Sequence, residues 1–487
     1  MNLLAPFVLS LAALLPNDTP AEVPVVTPRP VPATRPEMKE LLEAMKKRPH
    51  RIPLPELSEK EAAELGERSG SYEGRLRFHY VPQAEGSVFG SGRSRTSQRS
   101  SAPGSAPQPP GGSTPQPRPD FTRNADENMT LTYQFKTMLF WIVSRTNNCQ
   151  YCLGHQEWKL SATGMTDDEI AALDADWSQY SEAEQAAFGY ARLITWEPDR
   201  LTDEAIAKVL KHYTPEQVLE MTMSMSGNNA INRWKEGTGI PQSAGNTFQG
   251  RGGSAPAHAD TFVTPTADKY RNAVSVVAPL EVFNGKATGK GLSRRARLES
   301  PEQVKVKLQE ASTRKARLPL ADESTTSAWL TESGFNEPVE NWQRLIAVFP
   351  NEGRGRLPSL VSREKQTGDL TELQKSQLNW IIARQDRAWY AAGQAYQKLH
   401  DLGQSEQQIF ALDGDWKECS EADRAVFTFA RHLAAAPIAL TDEDVAQALQ
   451  LTSPRVVVQT INHVASCAYF DRVTEAAGLP LESPISF

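Results

Sequence analysis

Ser144-Arg145-Thr146-Asn147-Asn148-Cys149-Gln150-Tyr151-Cys152-Leu153-Gly154-His155 is the stretch around which this chain is arranged. It holds two of the four cysteines as a C-x-x-C pair, with a histidine three residues later, inside a helical pattern that continues to Leu160. On a helix Cys149 and Cys152 stand one turn apart and His155 one turn further, so all three fall on an arc of about 120°. With a helix start near Asn147 or Asn148, both thiols lie in the first turns, where the backbone dipole favours a thiolate. The imidazole supplies a proton shuttle. A thiolate so placed attacks the distal oxygen of a hydroperoxide to give a sulfenic acid, which the second thiol resolves to a disulfide.

Outward from this stretch, the pattern is helical nearly throughout Leu131 to Pro241. Thr166 with Glu169 and Ser181 with Glu184 fit the capping box, in which hydroxyl and carboxylate each satisfy an orphan backbone donor. Thr214-Pro215-Glu216-Gln217 adds a cap with proline at the first helical position. Apolar residues such as Ile170, Leu173 and Trp177, then Phe188, Ala191 and Ile194, recur at spacings of three and four. No alternating strand pattern intervenes, so the fold class expected is all-α.

The bundle is written twice. Trp141-Ile142 recurs as Trp380-Ile381, a shift of 239 residues that also carries Arg145 to Arg384, Tyr151 to Tyr390, Asp176-Trp177 to Asp415-Trp416 and Leu201-Thr202-Asp203-Glu204 to Leu440-Thr441-Asp442-Glu443. Upstream, Arg51-Ile52-Pro53-Leu54 matches Arg317-Leu318-Pro319-Leu320 at a shift of 266, which gives the first copy about 27 extra residues before its bundle. The second copy lacks the chemistry: Cys149 aligns with Ala388, Cys152 with Ala391 and His155 with Gln394. The scaffold therefore does not require the Cys-Cys-His set. Cys419 and Cys467 read as buried small hydrophobes.

The remaining sequence divides around these copies. Residues 1–35 read as a candidate signal peptide with a Pro-rich tail, its apolar run too short to span a bilayer. Export is one expected location and the cytoplasm the other. Residues 36–89 form the N-terminal helical segment of the first repeat, with a short charged helix from Pro36 to Arg48. Residues 90–119, almost wholly Ser, Gly, Pro, Gln and Arg, read as a disordered linker. The first bundle is 120–241, a linker follows at 242–296, the N-terminal segment of the second repeat is 297–369, and the second bundle is 370–487. Within the second linker, Val274 to Phe283 is apolar enough to pack on something. A net charge of −7 and four arginines without interleaved aromatics in 90–119 argue against nucleic acid as a partner.

Three other readings of the motif compete with redox chemistry. Cys149, Cys152 and His155 are three candidate metal ligands, although a structural zinc site commonly takes four. Core packing is a second, since free cysteine is among the most buried residue types. A structural disulfide is the third, closing too small a loop to constrain the unfolded chain much.

The run Asn148 to His155 in an all-α domain, with Asn229-Ala230-Ile231-Asn232-Arg233-Trp234 leading to Gly239-Ile240-Pro241, resembles the alkylhydroperoxidase D/carboxymuconolactone decarboxylase family. The resemblance implies a dithiol peroxidase, in which Cys152 attacks the peroxide and Cys149 resolves the sulfenic acid. A histidine and an upstream glutamate form the family's proton relay. The family's histidine position falls at Gln156, one residue after His155 and about 100° around the helix, and its glutamate position at Thr137. No acid lies between Leu131 and Cys149, and Glu157 reads as facing away. The partners implied are a hydroperoxide substrate and a thiol or protein reductant, with no cofactor and no membrane span. Family members assemble as homo-oligomers, so a tandem chain suggests that the second copy stands in for a neighbouring subunit. A decarboxylase-like lyase and a non-catalytic helical scaffold are the alternatives on the same fold.

Overall fold

The structure, a computed structural model, describes residues 31–86, 124–242, 268–280 and 298–487. The linker expected at 90–119, the leader portion of 1–35 and most of the linker at 242–296 lie outside the described residues. Every regular element among the described residues is helical.

In the first half these are α1 (Arg35–Ala44), α2 (Glu59–Leu65), α3 (Tyr72–Tyr80), α4 (Tyr133–Thr146), α5 (Gln150–Ala162), α6 (Asp167–Ala175), α7 (Glu182–Trp196), α8 (Asp203–Leu210) and α9 (Pro215–Thr238). A short α10 (Asp268–Arg271) follows. The second half contains α11 (Pro301–Thr313), α12 (Glu323–Glu332), α13 (Asn341–Ile346), α14 (Pro350–Val361), α15 (Glu372–Asp386), α16 (Trp389–Asp401), α17 (Glu406–Ala411), α18 (Glu421–Ala435), α19 (Asp442–Leu451) and α20 (Pro454–Ala476). The capping boxes expected at Thr166 and Ser181 open α6 and α7, and the cap expected at Thr214 opens α9 as a capping box too. No helix among the described residues is long and apolar enough to cross a membrane.

α4 packs on α5, α7 and α9, and α15 packs in the same way on α16, α18 and α20. The two halves meet along α9 and α20, the most extensive helix pair among the described residues. Gly237 permits that approach: a Cβ there would lie 2.9 Å from Ile461 and 3.1 Å from Leu433. Arg233 reaches across to donate to the Ala434 carbonyl at 2.7 Å.

Buried charge also crosses between the halves. Glu85, just after α3, accepts from Lys375 at 2.8 Å and from Asn462 at 2.6 Å. In the other direction, both carboxylate oxygens of Asp126 accept at 2.9 Å from the Asn351 and Glu352 amides at the start of α14. An acidic group at a helix N-terminus satisfies orphan donors and complements the dipole.

The end of the expected Pro-rich tail and part of the expected linker at 242–296 take part in the core. Val31 is buried, and the Pro32 carbonyl accepts from Arg145 at 2.8 Å, so the end of the Pro-rich tail is seated on the first bundle. Ser275 and Val276 donate backbone hydrogen bonds to Ala33 and Asp174, and Val277 and Ala278 are buried. Of the apolar run expected to pack from Val274 to Phe283, Val277 and Ala278 do so, Val274 and Val276 are exposed, and residues 281–283 lie outside the described residues.

Candidate dithiol site

The site is made by a break between two helices. α4 ends at Thr146, Asn148 adopts a left-handed φ of 52°, and Cys149 becomes the N-cap of α5, with Cys152 at its third position. Asparagine enters the left-handed region more readily than most residues because its short side chain bonds locally. Here its Oδ1 accepts from Gln150 at 2.5 Å. The Cys149 amide donates to the Ser144 carbonyl at 2.8 Å. Asn147 fastens the break to α9, donating to the side-chain oxygens of Asn229 and Asn232 at 3.0 Å each.

Both cysteines are thiols, 0 % and 3 % exposed. The helix start was expected to lower their pKa, but at Cys152 the shift runs the other way. Burial first, and then the neighbouring Cys149 thiol, hold the Cys152 thiol well above its ordinary value, with Lys235 and Asn232 pulling the other way. Cys152 is therefore protonated at neutral pH.

His155 is part-buried and stacked on Tyr151, ring centroids 4.6 Å apart, and its Nδ1 lies 2.8 Å from the Tyr151 carbonyl. Because a carbonyl only accepts, Nδ1 carries the proton and Nε2 is the basic nitrogen. Burial pushes the imidazole down to about 4, so it is neutral at pH 7. Among the described residues, no three His, Cys, Asp or Glu side chains are grouped to hold a metal.

A carboxylate does reach this neighbourhood, from outside the bundle's own sequence. Glu73 on α3 accepts from Trp234 at 2.8 Å and from Arg77 at 3.2 Å, and it pairs with Lys235. The Lys235 ammonium in turn lies 4.3 Å over the Tyr151 ring that stacks on His155. Burial alone would raise Glu73, but Lys235 and Arg77 reverse that and hold it at about 2. Glu157, read as facing away from the motif, is fully buried on the side of Arg35 and Trp141. It takes a two-pronged contact from Arg35 at 3.1 and 3.0 Å and a bond from Trp141 at 2.8 Å, so it anchors α1 and α4 to α5.

Thr137 and Gln156, the positions where the resemblance puts its relay, both line a cavity of about 260 Å³ beside the site. Lys159 lies on the same wall, and Glu352 and Arg356 of α14 close it from the second half. Of the remaining cysteines, Cys467 is buried and donates to Asn379 at 3.2 Å, with burial pushing it up to about 12, while Cys419 is partly exposed.

The second half repeats the break without the sulfur. Arg387 has φ 52°, like Asn148, and Ala388 caps its helix at φ −84°, ψ 89°, against −82° and 89° at Cys149. The Ala388 amide donates to Ala383 at 2.9 Å, the counterpart of the bond from Cys149 to Ser144.

Comparison with known proteins gives one similarity. The chain is 30% identical over 118 residues to the uncharacterized protein YdfG of Bacillus subtilis, an alignment that covers 23% of this chain and 75% of that protein. No protein-family model and no solved structure matches the chain.

Proposed function

The chain belongs to the family of YdfG, and from the residues of its site we propose that it is a dithiol peroxidase built from two tandem bundles of the alkylhydroperoxidase D type, of which the first reacts. One observation carries the reading: the same backbone break is built at Cys149 and at Ala388, so the fold does not need the cysteines that only the first half keeps. In the proposed reaction Cys152 sulfur bonds to the distal oxygen of ROOH, the O–O bond breaks, and the thiol proton leaves on RO⁻ as ROH. Cys149 then attacks the sulfenic acid, releasing water and forming the disulfide. An external dithiol returns both cysteines to thiols. Lys235 and Asn232 favour the Cys152 thiolate against its burial.

The test is consumption of cumene hydroperoxide by the reduced full-length protein with dithiothreitol as reductant. Cys152→Ser should lower the rate about a thousandfold or more, while Cys149→Ser should leave a sulfenic acid that dimedone traps. Equal rates for wild type and Cys152→Ser would reject the proposal. The near-complete burial of both thiols favours a second reading, a helical scaffold whose cysteines only pack. On that reading neither thiol reacts with peroxide until the protein unfolds.

A further inference from the structure

The cavity beside the dithiol carries a charge that the described residues leave unanswered. Four of its charged side chains cancel in pairs, Lys136 with Glu220 at 2.8 Å and Arg356 with Glu352 at 2.5 Å. Lys159 remains, with no carboxylate partner among the described residues. The neighbouring Cys152 thiol, held neutral by burial, does not supply one.

The second half shows what is missing. Lys398 stands 239 residues after Lys159 and pairs with Glu372. The counterpart of Glu372 in the first half is Tyr133, which lines the cavity and has no charge to offer. Two amides on the same walls are also unanswered: Gln156 Oε1 and Asn228 Nδ2 are buried without a hydrogen-bond partner among the described residues, in residues 2 % and 7 % exposed. Orphaned polar atoms of this kind are rare and costly. Their counterparts in the second half are Ala395 and Cys467, which pose no such demand. One orphan accepts and the other donates, the complement of a hydroxyl group. Met129, Phe140 and Met223 add apolar lining, beside the polar side chains of Asn124, Thr137 and Ser224. The volume lies just under the roughly 300–1,000 Å³ usual for ligand pockets, so the occupant is small.

We propose that this cavity binds a small organic carboxylate that bears a hydroxyl group, with Lys159 as counter-ion to the carboxylate and Gln156 and Asn228 on the hydroxyl. The ligand's carboxylate takes the part that Glu372 plays in the second half. Binding requires no redox step, so the site stands or falls separately from the dithiol chemistry.

The experiment is isothermal titration of the reduced full-length protein, and in parallel of Cys152→Ser, with 6-hydroxyhexanoate, hexanoate and 1,6-hexanediol. The hydroxy acid should bind at least about tenfold more tightly than the diol, since a charge-assisted hydrogen bond separates them, and hexanoate should fall between. Lys159→Met should erase the preference for the acid. Tyr133→Glu, which restores the counter-ion of the second half, should block the acid while the protein stays folded. A diol that binds as well as the acid, or an acid that gives no heat up to millimolar concentration with the wild type, would overturn the proposal without recourse to any variant.

Discussion

The two halves set the same carboxylate problem and solve it differently. In the first, Glu73 meets Lys235 and Arg77 and is drawn down to about 2. In the second, Glu340 is bonded by Trp342 and by Gln394, the counterpart of His155, and the position of Lys235 is held by Thr474. With no lysine there, burial governs, and Glu340 rises to about 7. The same holds at the helix break, where the dihedral angles agree within a few degrees although one half caps its helix with cysteine and the other with alanine. The backbone is common property of the two halves, and the chemistry is decided by single side chains set upon it.

The comparison can be broken most completely by removing one half. Deleting Leu370 to Phe487 takes away the helix against which α9 packs and the cationic partner of Glu85, and leaves that carboxylate without Lys375 or Asn462. The first half should then aggregate. Size-exclusion chromatography checks this, and a soluble, fully active first half would show that the second does not complete it.

Next in size is the anchor behind each break. Glu157→Ala strips a buried partner from Arg35 and Trp141, whose ion pair is about 1 % exposed on both sides, and should cost about 3–5 kcal/mol. Asp413 accepts from Trp380 and Arg384 in the second half but is 17 % exposed, so Asp413→Ala should cost less, about 1–3 kcal/mol. Urea denaturation measures both.

The smallest effect sharpens the contrast in charge. Glu73 is depressed from 4.5 to about 2, so its stabilisation is full above pH 4.5 and is lost as pH falls toward 2. Glu340 is raised from 4.5 to about 7, so its contribution is full below pH 4.5 and is lost as pH rises toward 7. Glu73→Gln should flatten the stability profile on the acid side only, and Glu340→Gln between pH 4.5 and 7 only, as read from melting temperature against pH.

Much of this molecule is legible from local rules. The caps at Thr166, Ser181 and Thr214 lie within four residues of what they satisfy, and the shift of 239 residues aligns Arg145 with Arg384 and Cys149 with Ala388 directly. The surroundings of the thiols were not legible for the opposite reason. Glu73, Lys235 and Arg356 come from α3, α9 and α14, and only tertiary packing brings them near α5. Spacing placed Cys149, Cys152 and His155 close to the start of one helix, but the degree of burial, which raises Cys152 and lowers His155, depends on helices far away in the chain. The inward turn of Glu157 likewise depends on Arg35, from a stretch that reads as the end of a tail.

The most direct test of the central claim is intact-mass analysis of the reduced protein before and after one equivalent of an alkyl hydroperoxide, with Cys152→Ala beside the wild type. The account predicts the loss of two hydrogens, a disulfide mapped between Cys149 and Cys152, and no such change in the variant. Thiols unchanged in the wild type would contradict it, and would leave the first half, like the second, a scaffold without sulfur chemistry.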